Sequence, residues 1–106
     1  MSKVTFEQIE NEILSEHYFT AYEGATAKLM PIDAGQAHSM VSAQSLKLMT
    51  ICVLVLKNGF SILGYSVCAD PKEFIAQTGR VIAKDEALRQ VWLLLGYKLK
   101  CDLNQE

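Results

Sequence analysis

The run "LMTICVLVLKNGFSILGYSVC", Leu48 to Cys68, constrains the fold more than any other part of the chain. It is rich in β-branched residues at Ile51, Val53 and Val55, which suit a pleated, packed strand. Its middle holds Asn58-Gly59 between two apolar stretches, the strongest short-range signal for a β-hairpin. A type I′ turn there needs positive φ at both central residues. Such a two-residue turn pairs Lys57 with Phe60, Val55 with Ile62 and Cys52 with Tyr65. Gly64 then marks a bulge or a close backbone contact. A buried helix over Leu46–Lys57, closed by Gly59, is the rival reading. The Asn-Gly turn favours the hairpin, over 48–68.

Before the hairpin, Thr5 and Gln8 have capping-box spacing, and Val4 and Ile9 suit a hydrophobic staple. Phe6, Ile9, Ile13, Leu14, His17 and Tyr18 follow helical spacing, with glutamates opposite, so a helix is predicted over 6–22. Residues 25–44 carry a proline, a glycine and small polar residues and read as a long loop. After the hairpin, "ADPKEF" places Asp70 as N-cap, Pro71 at the first helical position and Glu73 in the box. Phe74, Thr78, Val81, Leu88, Trp92 and Leu95 form the apolar stripe of a helix predicted over 71–95. Asp85 falls inside that stripe, and Gly96 ends the helix. Tyr97 to Cys101 alternates and reads as a short edge strand. The whole is one small α+β domain over residues 1–106.

Half of the residues are hydrophobic, which excludes a disordered chain. No apolar run approaches the ~18 residues of a membrane span. The start "MSKVTFEQIENEI" is polar and acidic, unlike a secretory signal, so a cytoplasmic location is expected. Three cysteines without a CxxC pair suit buried thiols in a reducing compartment. The net charge of −2 includes no concentrated basic stripe, which makes nucleic acid an unlikely partner.

The stretches "SEHYFTA" (Ser15–Ala21), "CVLVLKNGF" (Cys52–Phe60), "GYSVCADPKEF" (Gly64–Phe74), "GRVIAKDEA" (Gly79–Ala87) and "LLGYKLK" (Leu94–Lys100) carry a family likeness. Together they resemble small tailed-phage proteins named after gene forty-nine of a coliphage and gene sixty-six of a Shigella phage. The resemblance runs from about Ile9 to Leu99. It implies a phage or prophage origin and a role in the cytoplasm of an infected host. It brings no catalytic residues to these positions.

The residues themselves show no nucleophile motif, phosphate-binding loop or metal-ligand spacing. The expectation is therefore a non-enzymatic protein with no cofactor and no metal. It would bind a host or phage protein and sit in no membrane. Tyr65, Asp85 and Trp92 are its candidate interface residues. Asp85 and Arg89 stand at i and i+4, where a surface ion pair is expected. The alternative is a small-ligand or nucleotide binder, with His38 in the loop and Arg80 and Lys84 at i and i+4 receiving an anion. A homodimer is expected too. Both alternating faces of the hairpin are apolar, one layer of helices covers only one of them, and open strand edges invite pairing.

Overall fold

A computed structural model describes residues 3–27 and 40–105. Helix α1 (Phe6–Glu12) opens the chain, and strand β1 (Ile13–Thr20) follows it directly. Two short helices come next, α2 (Ala21–Thr26) and α3 (Met40–Lys47). Strands β2 (Met49–Leu56) and β3 (Ser61–Val67) form the hairpin, and the 28-residue helix α4 (Ala76–Leu103) closes the fold. The three strands make one antiparallel sheet in the order β1-β2-β3. The fold is α+β. No helix among the described residues is long and apolar enough to cross a membrane.

The first helix is shorter than its spacing predicts. Its start is as expected: the Gln8 N–H donates to Thr5 Oγ1 and the Thr5 N–H to Gln8 Oε1. It stops at Glu12, and "ILSEHYFT" pairs instead with β2, Phe19 against Ile51 and His17 against Val53. The apolar positions of this stretch satisfy a helical and an alternating pattern alike. The open edge of β2 decides between them, because its backbone groups need a partner. A bulge between Ile13 and Ser15 leaves Leu14 out of the ladder and 65% exposed. A second capping box, Thr20 with Glu23, starts α2. Most of the loop expected over 25–44 lies outside the described residues, but its last part is helix α3.

The hairpin forms where expected, with a different turn and a register moved by one residue. The Gly59 N–H donates to the Leu56 carbonyl (2.8 Å), and the Leu56 N–H to the Phe60 carbonyl (2.8 Å). The loop is therefore Lys57-Asn58-Gly59, three residues long. Gly59 alone has positive φ, at 90°, and Asn58 Oδ1 accepts from the Phe60 N–H. This is the three-residue hairpin that ends on a left-handed glycine, rather than a type I′ turn. Leu54 consequently faces Ile62 and Cys52 faces Gly64. A one-residue shift exchanges the faces of every side chain on β3 relative to its neighbour.

Helix α4 covers one side of the sheet. Asp70 caps only a single 3-10 turn, Pro71–Glu73, and the long helix begins at Ala76 with no side-chain cap. It runs past Gly96 to Leu103, through the predicted edge strand. Its fully buried ridge is Gly79, Ala83, Ala87 and Val91; of the predicted stripe, Leu88 and Leu95 pack partly buried against the core, while Val81 and Trp92 are half exposed. Small residues line this ridge because the helix backbone lies directly on β3. A Cβ on Gly64 would sit 2.2 Å from the Ala83 carbonyl oxygen and 2.6 Å from the Ala87 nitrogen. Cys52, Leu54, Leu56, Ile62 and Ile9 complete the core.

Two glycines should answer differently to substitution. Gly64→Ala forces helix and strand apart and should cost about 3 kcal/mol, at the upper end of overpacking losses. Gly59→Val meets no neighbour, and its positive φ should cost about 1–2 kcal/mol. Urea unfolding midpoints measure both, and a Gly64→Ala protein as stable as the parent would contradict this helix position.

Candidate functional site

The other side of the sheet carries the main candidate surface. Cross-strand pairing places Phe19, Ile51 and Tyr65 in one row, and His17, Val53 and Leu63 in the next. Val55 and Val67 flank them at the two ends. Leu63, Tyr65 and Val67 are 53%, 53% and 59% exposed. Helix α2 touches one corner, where a Cβ on Gly24 would come within 3.0 Å of the Phe19 ring. Polar groups are few: Ser15 Oγ and His17 Nε2 are 3.0 Å apart, and Ser61 stands at the end of β3. His17, placed by its spacing on a helix face, is exposed on this sheet face instead. An exposed, contiguous apolar patch with a polar margin is what contact surfaces have.

A second, polar site lies where α4 overhangs β1. Glu16, Tyr18, Arg80, Lys84 and Asp85 line a cleft of about 390 Å³. Lys84 Nζ is 3.1 Å from Glu16 Oε2, and the Tyr18 hydroxyl donates to Glu16 Oε1 at 2.7 Å. The Arg80 guanidinium stands 6.0 Å from the centre of the Tyr18 ring. The Tyr18 hydrogen bond, with help from Lys84, holds Glu16 below the usual carboxylate range against the opposing effect of burial. Burial and the bond to Glu16 push Tyr18 up. Burial alone would lower Lys84, but the bond to Glu16 and the negative charges of Glu16 and its neighbours together outweigh this and raise it. The Cys52 thiol beneath them is raised by burial, which keeps it protonated and unreactive.

The structure thus brings Arg80, Lys84 and Asp85 together and adds Glu16 and Tyr18, which sequence spacing could not associate with them. Two cations face two carboxylates there, so the cleft has little net field for an anion. Asp85 is exposed, and its expected partner Arg89 turns to Glu86 at 3.9 Å. Tyr65 lies on the uncovered sheet face, whereas Trp92 lies on α4 across the sheet, so these interface candidates do not form one patch. His38 lies outside the described residues. Among the described residues, no three His, Cys, Asp or Glu side chains gather as a metal would require. A third feature was not anticipated: a cleft of about 570 Å³ between α1, the hairpin turn and the end of α4, with Val4, Leu56, Phe60, Leu95 and Leu99 in its walls.

The stretches that suggested a phage family are now placed: β1, the hairpin with its following turn, and most of α4. A family model for phage protein (N4 Gp49/phage Sf6 gene 66) matches residues 4–103. The chain belongs to this family. No curated protein and no solved structure matches it.

The Glu16 cluster makes a testable contribution to stability. A lowered carboxylate stabilises the fold above its unfolded pKa, near 4.5, and that stabilisation is lost as pH falls through the lower folded value. Glu16→Gln should therefore cost up to about 1 kcal/mol at pH 7, a surface-pair magnitude. The difference should close as pH drops below 4.5. Melting curves from pH 7 to pH 3 measure this, and a constant difference would assign the loss to packing instead.

Proposed function

We propose that this phage protein is a non-enzymatic interaction module, a homodimer that binds a host or phage protein in the cytoplasm of the infected cell. The observation that supports this reading is the uncovered sheet face. One layer of helix covers Thr50, Cys52, Leu54 and Leu56, while Val53, Leu63, Tyr65 and Val67 on the other side meet no comparable layer among the described residues. Two such faces pack as a sheet-on-sheet sandwich, about 10 Å apart, with their side chains interleaved. A twofold pair is the commonest closed arrangement. The polar cleft supports small-ligand or nucleotide binding less well, since Glu16 already holds Lys84 and Asp85 offsets Arg80.

Sedimentation at micromolar concentration should give a dimer for the parent and a monomer for Val53→Lys, which puts a charge in the centre of the face. A parent that sediments as a monomer defeats the dimer. Affinity capture from infected cells should recover a phage or host protein that then binds the purified chain directly. Recovery of none above background would remove the interaction reading.

A further inference from the structure

The outer edge of β3 is as informative as the sheet face. The Leu56 N–H donates to the Phe60 carbonyl and the Cys68 N–H to the Leu48 carbonyl (3.0 Å). Bonded residues alternate along an antiparallel ladder. Ile62, Gly64 and Ser66 therefore turn their backbone groups toward β2. Ser61, Leu63, Tyr65 and Val67 turn theirs outward, where the described residues supply no further strand. One outward group has a partner: Gln90 Nε2 donates to the Leu63 carbonyl at 2.5 Å.

That bond fixes which flank of α4 stands over the edge. Ridges on a helix run through every fourth residue. The buried ridge Ala83–Ala87–Val91 has Ile82, Glu86, Gln90 and Leu94 as its neighbour on the Gln90 side. On the other side Lys84 reaches back to Glu16 of β1. Ile82 and Leu94 are 51% and 41% exposed, and the Glu86 side chain 43%. Around Gly64 the helix thus lies over the edge strand, with a ridge of Ile82, Glu86, Gln90 and Leu94 projecting past it.

We propose that β3 receives an extended strand from a protein partner, which adds to the sheet beneath the Ile82–Leu94 ridge. The inference deepens the interaction reading by naming the partner's chemistry. The added strand takes the outward backbone groups of Ser61, Leu63, Tyr65 and Val67. The Leu63 carbonyl has two lone pairs and can keep Gln90. Helix-facing positions of the strand are apolar at both ends, against Ile82 and Leu94, and basic in the middle, against Glu86, whose 3.9 Å pair with Arg89 is long and solvent-facing. The occupant is not the β3 of a second copy. Gly64 lies directly under the α4 backbone, so two β3 strands paired edge to edge would bring two α4 helices about 5 Å apart, well inside the 8–10 Å that packed helices need.

The probe is a peptide of roughly seven residues, matching the length of β3, with Val at the outer helix-facing positions and Lys or Glu at the central one. Amide hydrogen exchange by NMR reads the edge directly. In the free chain the Leu63, Tyr65 and Val67 amides should exchange fast, while those of Ile62, Gly64 and Ser66 are protected. The Lys peptide should slow the outward amides by about tenfold or more, and the Glu peptide less. Tyr65→Pro removes an outward N–H and leaves the bonds to β2 intact. It should abolish the slowing while the inward amides stay protected. Glu86→Lys, at a half-buried helix position, should reverse the preference between the peptides. The proposal is overturned by outward amides already protected in the free chain, by no slowing with either peptide, or by equal slowing in Tyr65→Pro. Val53→Lys should leave peptide binding unchanged, so a failure of the face-to-face dimer and a failure of strand addition are read separately.

Discussion

Gly64 sets the distance between the long helix and the sheet. The Ala83 and Ala87 backbone occupies the space a side chain at position 64 would fill. Gly79 repeats the arrangement one turn earlier, where a Cβ would sit 2.5 Å from Thr50 Oγ1. The helix is thereby held close over β3 at Gly64 and over Thr50 of the middle strand at its start. From that position Lys84 reaches Glu16 on β1, and Gln90 reaches the outward carbonyl of Leu63. Ser66 Oγ donates to the Gly79 carbonyl, which ties the start of the helix to the end of β3.

A contact this close leaves room only for small and medium side chains between the layers. Among the described residues, the fully buried side chains reach no larger than Leu54, Val91 and Cys52. Yet half of the chain is hydrophobic. The surplus therefore lies outside the core, as Leu63, Tyr65 and Val67 on the sheet and Val81, Ile82, Trp92 and Leu93 on the helix. Exposed apolar groups scattered singly need no explanation, but a row on one sheet face beside an open strand edge does. The small core and the candidate surfaces are two consequences of one backbone contact.

The hairpin was legible because Asn58-Gly59 is local chemistry. Its register was not, because whether Gly59 closes a two- or a three-residue loop depends on how the strands pair. The capping box at Thr5 announced the first helix, but its end at Glu12 is imposed by β2, far away in sequence. The α4 stripe was legible only in part, for a related reason. Large apolar residues at helical spacing include Leu88 and Leu95, which do pack against the core, but also Val81 and Trp92, which do not; the fully buried ridge is mostly glycine and alanine, whose significance appears only beside Gly64. Arg80, Lys84 and Asp85 were readable as neighbours on one helix. Glu16, 68 residues from Lys84, was not. Tyr65 was readable as a contact residue, but Leu63 and Val67 join it only in the observed register.

The two proposed contacts do not compete for space. The open face points along the sheet normal, and the β3 edge lies in the plane of the sheet. Two copies packed face to face would keep both β3 edges at the rim, each under its own α4. Such a dimer has two strand-binding sites in one body. A partner that carries two suitable segments, or is itself oligomeric, would be held by both, and the second engagement becomes intramolecular. A single short strand adds little contact area and binds weakly alone, so pairing the edges is what would let a chain this small hold a partner firmly. The face and the edge then divide the work: one sets the number of sites, the other what each site accepts.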